Sequence, residues 1–387
     1  MSRIDFLYLD EEDTIAAGVN DRKKTIEICR EVFGLLGSGD YLMGGTDHCS
    51  HGECIIFPRE SPFPRMPLHA PDRRFYAMPA YLGGRFHMVG NKWYGSNVEN
   101  IKKGLPRSIL TLMLNDVETG APLCLMSANL LSAARTGAIP ALAAQWLRPE
   151  PCRKLAVLAC GPINESCVLH LLQSKAELEK ISLYDLRSSA AERLAARIRQ
   201  EADLEVEIAE SMPEALADAE LITAAASRLK ALEIDPKWLR SDACLLLSGQ
   251  ATGPVELFTE SELIFDHIPL HQSYMAGAAQ AETMADYYGQ YIAGPVYALI
   301  NSGEIKPLLQ HPSLSDVMAS HYQLKKGSRT IFYAVGMPVF DVAMGTEIYR
   351  YAKAKGIGQS LRLWEQPAQL DGGSSRSSLH ETRAEGI

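Results

Sequence analysis

The sequence predicts an α/β fold in which a doubly wound parallel sheet is joined to an α+β domain. Two patterns lead to this prediction. From residue 154 onward, short apolar runs of strand length alternate with helical patterns, which is typical of a parallel sheet. Before residue 130, strand candidates follow one another with turns between them, which is typical of antiparallel neighbours.

The first part of the chain opens with a short strand, "FLYLD", and continues with a helix that Asp21 is placed to cap. Glycines in "GLLGSGDYLMGG" indicate turns after this helix. Four strand candidates follow, and "NDVETGAP" is typical of a hairpin turn. These candidates are "ECIIF", "FYAMPAYL", "HMVGNKWYG" and "SILTLMLND". The region is therefore predicted to be an α+β meander.

The parallel sheet is predicted from six runs, of which "KLAVLAC" is continuously apolar, as expected for a strand covered on both faces. The others are "KISLYDL", "LEVEIAE", "LITAAAS", "ACLLLSGQ" and "LIFDHIP". Two intervening helices begin with capping-box patterns, Ser189 with Glu192 and Ser211 with Glu214. After residue 325, "TIFYAVGMPVFDVAMGTEIYRYAKAKG" predicts a strand or turn and then an amphipathic helix.

The composition excludes several classes of protein. The 387 residues carry a formal net charge of −9, so no broad nucleic-acid-binding surface is expected. No apolar run reaches the roughly 18–20 residues that cross a bilayer. The segment "MSRIDFLYLDEED" lacks the apolar core of a signal peptide. We therefore expect a cytoplasmic protein without a membrane partner.

The eight cysteines are spread along the chain, and this spacing favours reduced thiols. One stretch, "TDHCSHGEC", places five residues that can bind metals within eight positions, namely Asp47, His48, Cys49, His51 and Cys54. Zinc sites usually pair two such groups, and no second group follows this one. A polar loop is therefore favoured over a metal site, and no metal is expected.

The segment "LACGPINES" lies where the first parallel strand passes into a helix, which is the setting of a dinucleotide-binding turn. At the three glycine positions of that turn the sequence reads Ala159, Gly161 and Asn164, so only the middle glycine is present. Asp185 ends the second strand 24 residues after Gly161, where an acid can accept hydrogen bonds from ribose hydroxyls. The turn residues expected to contact a dinucleotide are Ala159, Gly161, Pro162, Ile163 and Asn164.

Two side chains count against this turn. An alanine held in a glycine conformation costs roughly 1–2 kcal/mol, which would weaken binding without excluding it. Glu165 would repel a pyrophosphate if it faced the ligand, whereas pointing into solvent it would favour the helix dipole.

The cofactor preference depends on the end of the second strand. Asp185 would repel a 2′-phosphate, so NAD(H) is preferred, and Arg187 leaves NADP(H) as the alternative. An ordinary acid at a strand end is the alternative interpretation of Asp185.

Three further segments resemble the ornithine cyclodeaminase/mu-crystallin family, and the resemblance runs from about residue 5 to residue 361. They are "MVGNKWYGSNVEN" with "KKGLPRSILTLMLNDVETGAPL", "SANLLSAARTGAIPALAA" and "FYAVGMPVFDVAMGTEIY". "MGGTDHCSHG", "PDRRFYAMPAYLGGRF" and "RTGAIP" are similar to a branch whose members are often labelled as a subunit of tyramine oxidase. The resemblance implies homodimers that use NAD(H) or NADP(H) and transfer hydride between the cofactor and the Cα of an amino or imino acid.

The resemblance also implies a division of the chain. Residues 131–324 would form the Rossmann dinucleotide-binding domain, and residues 1–130 with 325–365 the substrate-binding and dimerisation domain. The polar, Gly/Ser-rich residues 366–387 are predicted to be a disordered tail.

The resemblance assigns roles to individual residues. Lys92 in "GNKW" matches the family lysine beside the substrate carboxylate and the reacting carbon, and Arg135 in "SAARTGA" matches the arginine that pairs with that carboxylate. Arg65 lies near a further carboxylate-binding arginine, and Arg107 and Ser108 would lie near cofactor and substrate. A solvated surface charge is the alternative for each basic residue. Further cofactor contacts would come from Arg135, Ala225, Ser227, Gly249, Gln250 and Ala334.

Two residues depart from the family pattern. Gln250 stands where cyclodeaminases carry a catalytic aspartate, and a glutamine cannot accept a proton as a general base. This argues against ornithine cyclodeamination. Ala334 stands where relatives often have a serine near the nicotinamide.

The preferred hypothesis is an NAD(P)-dependent oxidoreductase that resembles imine reductases and amino acid dehydrogenases and acts on a small amino acid, imino acid or amine. Lys92 would donate the proton, directly or through water, and Gln250 would position the substrate nitrogen. The alternative is a non-catalytic accessory or binding subunit of an amine-oxidising system, because Ala159, Gln250 and Ala334 all lie at positions where family function concentrates.

Overall fold

The computed structural model describes residues 3–70, 72–175, 177–226, 231–280 and 283–367. Ser227, one of the predicted cofactor contacts, lies outside these residues, and so does the predicted tail beyond residue 367. Within the described part, the chain forms two large sheets, one mixed and one wholly parallel.

Strands predominate in the first part of the described chain, and helices and strands alternate between residues 154 and 265. The first half contains β1 (Ile4–Leu9), α1 (Glu11–Ala16), α2 (Arg22–Ser38), β2 (Tyr41–Met43), β3 (Glu53–Ile56), β4 (Arg74–Leu82), β5 (Met88–Ser96), a 3-10 helix (Val98–Lys103), β6 (Ser108–Asn115), β7 (Pro122–Ser127), α3 (Asn129–Leu147), β8 (Lys154–Leu158), α4 (Pro162–Ser174) and β9 (Lys180–Tyr184). The second half contains α5 (Ser188–Glu201), β10 (Glu205–Ile208), α6 (Met212–Leu216), β11 (Leu221–Ala224), β12 (Leu232–Glu233), a 3-10 helix (Pro236–Trp238), β13 (Cys244–Leu247), β14 (Ala251–Thr252), α7 (Glu256–Thr259), β15 (Ser261–Phe265), α8 (Ile268–Gly277), a 3-10 helix (Ala278–Gln280), α9 (Met284–Tyr288), α10 (Gly294–Ser302), a 3-10 helix (Leu308–Gln310), α11 (Leu314–Met318), β16 (Arg329–Tyr333), α12 (Pro338–Lys355) and β17 (Gln359–Trp364).

The mixed sheet has the strand order β17-β1-β7-β6-β5-β4-β2, and β3 also pairs with β4. Met78 on β4 lies opposite Lys92 on β5, and Tyr76 lies opposite Tyr94. Residues opposite each other, and residues two apart on one strand, share a face of the sheet. These four side chains therefore share one face. Helix α12 packs against β4, β5 and β6, and Lys92 is only 2% exposed.

The parallel sheet has the strand order β10-β9-β8-β11-β13-β16-β15, and all its described neighbours run in the same direction. Its strands β8, β11, β13, β15 and β16 are mostly buried because helices cover both faces, whereas the edge strand β10 is partly exposed. From β8 the chain first adds strands on one side and then returns to add β11 on the other. This reversal marks the place where folds of this kind bind ligands, outside the carboxyl ends of the strands.

The fold class predicted from the sequence is confirmed, and all six predicted parallel strands are present. One strand crosses the predicted division of the chain. The sequence places residues 325–365 with the first domain, but β16 pairs with β13 and β15 in the parallel sheet. Its five residues are all buried, so the strand needs neighbours and cover on both faces. The next elements, α12 and β17, do pack with the mixed sheet.

Candidate active site

Three buried charges meet between the mixed sheet and its helices. The Lys92 Nζ lies 2.7 Å from Asp341 Oδ2, and the Arg135 Nε lies 3.2 Å from Asp341 Oδ1. Their side chains are 3%, 7% and 1% exposed for Lys92, Arg135 and Asp341. Two predicted substrate-binding residues, 43 positions apart in the chain, are thus held by one carboxylate that the sequence patterns did not indicate.

The elements that carry these charges explain why they meet. Lys92 lies on the inward face of β5, Arg135 on the buried side of α3, and Asp341 in the first turn of α12. A carboxylate in a first helical turn is favoured by the helix dipole. Ser132, one turn before Arg135 on α3, places its Oγ 3.5 Å from Lys92 Nζ and 3.3 Å from Arg135 Nη2.

Glycine is required where the chain enters α12. Gly336 has a φ of +78°, and a Cβ there would lie 2.2 Å from Nη1 of Arg135. Asp266 fixes this segment, because its Oδ2 accepts hydrogen bonds from the backbone N–H groups of Val335 (2.8 Å) and Gly336 (3.0 Å). Its Oδ1 lies 2.8 Å from Nε2 of the buried His271. The end of β15 therefore holds the backbone that faces Arg135.

Burial and neighbouring charge set the protonation of the cluster. Burial lowers the pKa of Lys92 to about 8, with Arg135 adding to the effect and Asp341 opposing it. Burial alone would raise the pKa of Asp341, but the two cations hold it below its ordinary value. Two cations against one carboxylate leave an excess positive charge, which suits a single carboxylate ligand.

A neutral imidazole lies beside the cluster. Burial, together with the charges of Lys92 and Arg135, lowers the pKa of His51 to about 3. The His51 ring lies edge-on to Tyr76, with centroids 6.0 Å apart, and is tilted against Tyr274, with centroids 6.1 Å apart. Residues of the mixed sheet and of α8 therefore form an aromatic wall next to the charges.

Gln250 has a different environment from the one predicted. Its Nε2 donates hydrogen bonds to the backbone oxygens of Gly289 (2.7 Å) and Tyr291 (2.6 Å), between α9 and α10. Both N–H groups of the amide are thereby used. The Tyr291 ring packs 4.3 Å from the ring of Tyr274, centroid to centroid. By binding the backbone of Tyr291, Gln250 therefore supports the aromatic residues beside His51. Its predicted contact with a substrate nitrogen stays a prediction.

The turn between β8 and α4 leaves the N-terminus of a helix open. Ala159 has a φ of +70°, which is the conformation that glycine would adopt at lower cost. Gly161 precedes α4, and an added Cβ there would meet no described atom within 4 Å. No described side chain caps this helix. The N–H groups of its first turn, around Ile163, are therefore oriented to bind an anion.

The Asn164 side chain, in contrast, has a structural role, because its amide is hydrogen-bonded to other residues of the fold. Its fully buried amide donates to the carbonyls of Leu158 (2.8 Å) and Ala159 (2.7 Å), and its Oδ1 accepts from Thr223 Oγ1 (2.7 Å). These bonds join the ends of β8 and β11. Asn164 thus stabilises the turn, and its predicted contact with a cofactor would be through the backbone.

The surroundings of the turn fit a dinucleotide. Asp185 accepts hydrogen bonds from the backbone N–H groups of Cys160 (2.7 Å) and Arg187 (2.8 Å), which holds its carboxylate beside the turn. Glu165 lies 3.9 Å from Arg197 on α5, so its charge is partly offset. A Cβ on Gly249 would lie 2.7 Å from the nitrogen of Ala226, so the loops after β11 and β13 pack closely.

The remaining predicted residues are more scattered. Arg65 is exposed and forms no ion pair with any described residue. Arg107 pairs with Asp72 at 3.1 Å, and Ser108 Oγ donates to the Tyr94 hydroxyl at 3.1 Å, at the start of β6. Ala334 is buried directly after β16. Only Lys92 and Arg135 of the predicted substrate-binding residues are brought together.

The "TDHCSHGEC" loop holds its polar groups without a metal-like arrangement. Among the residues with described coordinates, no three His, Cys, Asp or Glu side chains are grouped so that they could hold a metal ion. Within the same described ranges, no helix is both long and apolar enough to cross a membrane. The Tyr41 hydroxyl lies within hydrogen-bonding distance of Cys49 and of His267, which attaches the loop to the parallel-sheet side.

Comparison with known proteins identifies the family. The model of the ornithine cyclodeaminase/mu-crystallin family matches residues 20–356. The chain belongs to this family. N-((2S)-2-amino-2-carboxyethyl)-L-glutamate dehydrogenase of Staphylococcus aureus is 24% identical to it over 372 residues, which are 93% of this chain and 99% of that protein.

Solved structures of the same fold include two with bound cofactor. An archaeal alanine dehydrogenase dimer with bound NAD has a TM-score of 0.75 at 20% identity, covering 93% of this chain and 100% of that chain. The Thermococcus litoralis Δ1-pyrroline-2-carboxylate reductase, in complex with NADH and L-proline, has a TM-score of 0.73 at 21% identity, covering 92% of this chain and 100% of that chain.

The buried lysine predicts how stability depends on pH. The pKa of Lys92 falls from an ordinary 10.5 to about 8 in the folded chain, so between these values the unfolded chain binds more protons. The stability linked to Lys92 therefore increases as pH rises from about 8 to 10.5, and it is lost as pH falls through 8. Urea unfolding at pH 7 and pH 10 should show a larger gain for the wild type than for Lys92→Met. The exposed Lys102→Met is the control, and equal gains in all three proteins would contradict the assignment.

Proposed function

We propose that the chain is an NAD(P)-dependent oxidoreductase that transfers hydride between the nicotinamide and the Cα of an amino or imino acid or a related amine. The observation that carries this proposal is the buried cluster of Lys92, Arg135 and Asp341 with its excess positive charge. The same chain also has the N-terminus of α4, which no described side chain caps, at the place where the strand order of the parallel sheet reverses. This helix N-terminus fits a pyrophosphate.

Arg135 and Lys92 have different roles in this reaction, namely substrate binding and proton transfer. Arg135 binds the substrate carboxylate through its guanidinium, and Lys92 adds a second charge. With a pKa of about 8, Lys92 exchanges protons near neutral pH and protonates the imine nitrogen during reduction. Burial excludes water from both groups. The bound nicotinamide supplies or accepts the hydride.

The residues around the turn support NAD(H) as the preferred cofactor. Asp185 is oriented by two backbone N–H groups, and its negative charge would repel a 2′-phosphate. Arg187 is exposed next to it, which leaves NADP(H) as the alternative. Ala159 already has its positive φ without a ligand, so its backbone strain reduces the stability of the fold and not the affinity for either cofactor.

Amino and imino acids are the substrate class that fits the site. The Staphylococcus relative is named as a dehydrogenase of an amino acid derivative, and the Thermococcus reductase was solved with L-proline. Ornithine cyclodeamination is not supported, because Gln250 lacks a basic oxygen and its N–H groups bind the loop before α10.

A cofactor titration and a turnover assay test this function together. Fluorescence titration should show NADH binding about tenfold more tightly than NADPH. A panel of imino acids, beginning with Δ1-pyrroline-2-carboxylate and with pyruvate plus ammonia, should then oxidise NADH. Lys92→Met should lower kcat/KM by roughly 10²–10⁴-fold, the usual range for a proton-transfer group, while NADH affinity is unchanged.

Lys102→Met repeats the substitution at an exposed lysine and should behave as the wild type. The absence of cofactor binding up to millimolar concentration would reject the proposal and favour a non-catalytic binding protein. Turnover that survives Lys92→Met would reject the role of Lys92.

We also propose that the chain is a homodimer that pairs through the outer face of the mixed sheet. Ile55, Phe75, Trp93 and Ile109 lie on four adjacent strands and are 55%, 36%, 43% and 49% exposed. The Phe75 and Trp93 rings stack with centroids 6.0 Å apart. An apolar stripe of this kind is typical of a protein interface, and the archaeal alanine dehydrogenase is a dimer.

Substitution of the central tryptophan tests this interface. Light scattering after gel filtration should give about twice the chain mass of 42.5 kDa for the wild type. Trp93→Lys should shift the protein toward the monomer, because a desolvated ammonium group at the centre of an interface is costly. Leu309→Lys, at a 70% exposed leucine outside the sheet, is the matched control. A wild type that is monomeric at micromolar concentration would contradict the dimer.

A further inference from the structure

One polar atom beside the charge cluster has no partner. The Nδ1 of His51 is buried and forms no hydrogen bond with any described residue. The loop that carries it is held tightly, since a Cβ on the next residue, Gly52, would lie 2.3 Å from the Ala77 oxygen on β4. The ring packs between Tyr76 and Tyr274, edge-on to the first and tilted against the second. His51 is therefore packed on two sides and has one nitrogen without a described partner.

An unpaired buried nitrogen costs stability. Desolvation of an acceptor without a hydrogen bond is unfavourable, and a leucine of similar volume would fill the same space without this cost. Packing against Tyr76 and Tyr274 does not require a polar ring. A donor that belongs to a ligand would satisfy this nitrogen.

The tautomer of His51 is assigned from the surroundings of its second ring nitrogen, Nε2. A hydrogen bond with the Gly336 backbone raises the pKa of His51, although burial and the nearby cations keep the ring neutral. Nδ1 has no partner among the described residues, so we assign the Gly336 contact and the ring hydrogen to Nε2. Nδ1 is consequently a pure acceptor.

The position of this acceptor indicates which donor it would meet. The His51 ring contacts Tyr76, which shares the inward face of the mixed sheet with Lys92. A Cβ on the adjacent Gly52 would lie 3.1 Å from the Cα of Met78, the residue opposite Lys92, so the His51 ring lies next to the groups that would bind a carboxylate. An α-amino or α-imino nitrogen is one carbon away from the carboxylate carbon. Gln250, which stands where the family resemblance places a catalytic aspartate, has both N–H groups engaged elsewhere.

We propose that His51 Nδ1 accepts a hydrogen bond from the N–H of the substrate's amino or iminium group. This assignment rests on the proposed function, whose substrate class it narrows. A ketone or ether oxygen offers only lone pairs, which the lone pair of Nδ1 repels. The site therefore selects N–H-bearing substrates over the corresponding keto acids.

A pair of ring carboxylates tests the selection without turnover. Pyrrole-2-carboxylate presents an N–H beside its carboxylate, and furan-2-carboxylate presents an oxygen in the same place. Calorimetry with and without NADH should show wild-type protein preferring the pyrrole by about tenfold or more. His51→Leu should abolish the preference, and His51→Asn, which keeps an acceptor, should restore part of it. His48→Asn, at an exposed histidine of the same loop, should leave it unchanged.

Equal binding of the two carboxylates by wild-type protein, or no measurable binding of the pyrrole, would overturn the assignment. So would a preference that survives His51→Leu. Folding of each variant is checked by its thermal unfolding midpoint. A chain that reduces an imine but shows no preference rejects the role of His51 alone. A chain that shows the preference but binds no NADH or NADPH rejects the hydride-transfer function alone.

Discussion

The pairing of one buried carboxylate with two buried cations is the interaction on which the site depends. Asp341 joins Lys92 from the mixed sheet to Arg135 from α3, and these residues come from distant parts of the chain. Removing the carboxylate would leave two unpaired charges in the interior, at a cost of several kcal/mol. The cluster therefore fixes β5, α3 and α12 relative to one another, and it keeps both cations charged enough to bind an anion.

The nucleotide turn and the charge cluster are connected through one short segment. Asp266 holds the backbone of Val335 and Gly336, and Gly336 packs against Arg135. This segment follows β16, which lies in the parallel sheet two strands from β11. A cofactor bound at the carboxyl ends of that sheet would thus face the cations directly. The two halves of the proposed reaction meet because β16 belongs to one sheet and α12 packs on the other.

Much of this could be predicted from the sequence, for physical reasons that differ by element. The parallel strands were predictable because they are apolar on both faces, and the positive φ of Ala159 follows from its place in the turn. Lys92 and Arg135 were predicted from family motifs. Asp341 was not, although it lies in the family-like segment "FDVA", because its partner Lys92 is 249 residues away.

The environments of other residues could not be predicted from family motifs. The family pattern assigns Gln250 to the substrate nitrogen, but an amide can donate to carbonyls, and in this chain it binds the loop before α10. Asn164 replaces a glycine of the turn and is used to join β8 to β11. Arg65 is on the surface. His51 was visible only as part of a cysteine- and histidine-rich loop, and its burial depends on tertiary contacts.

The reaction proposed for this chain is hydride transfer to a carbon held by Lys92 and Arg135. It is tested by mass spectrometry of the product formed from an imino acid and NADH deuterated at C4, with each face of the ring labelled in turn. One deuterium, from one face only, is expected at Cα of the amino acid product. Product without deuterium from either face, or no amino acid product with any imino acid that binds, would contradict it.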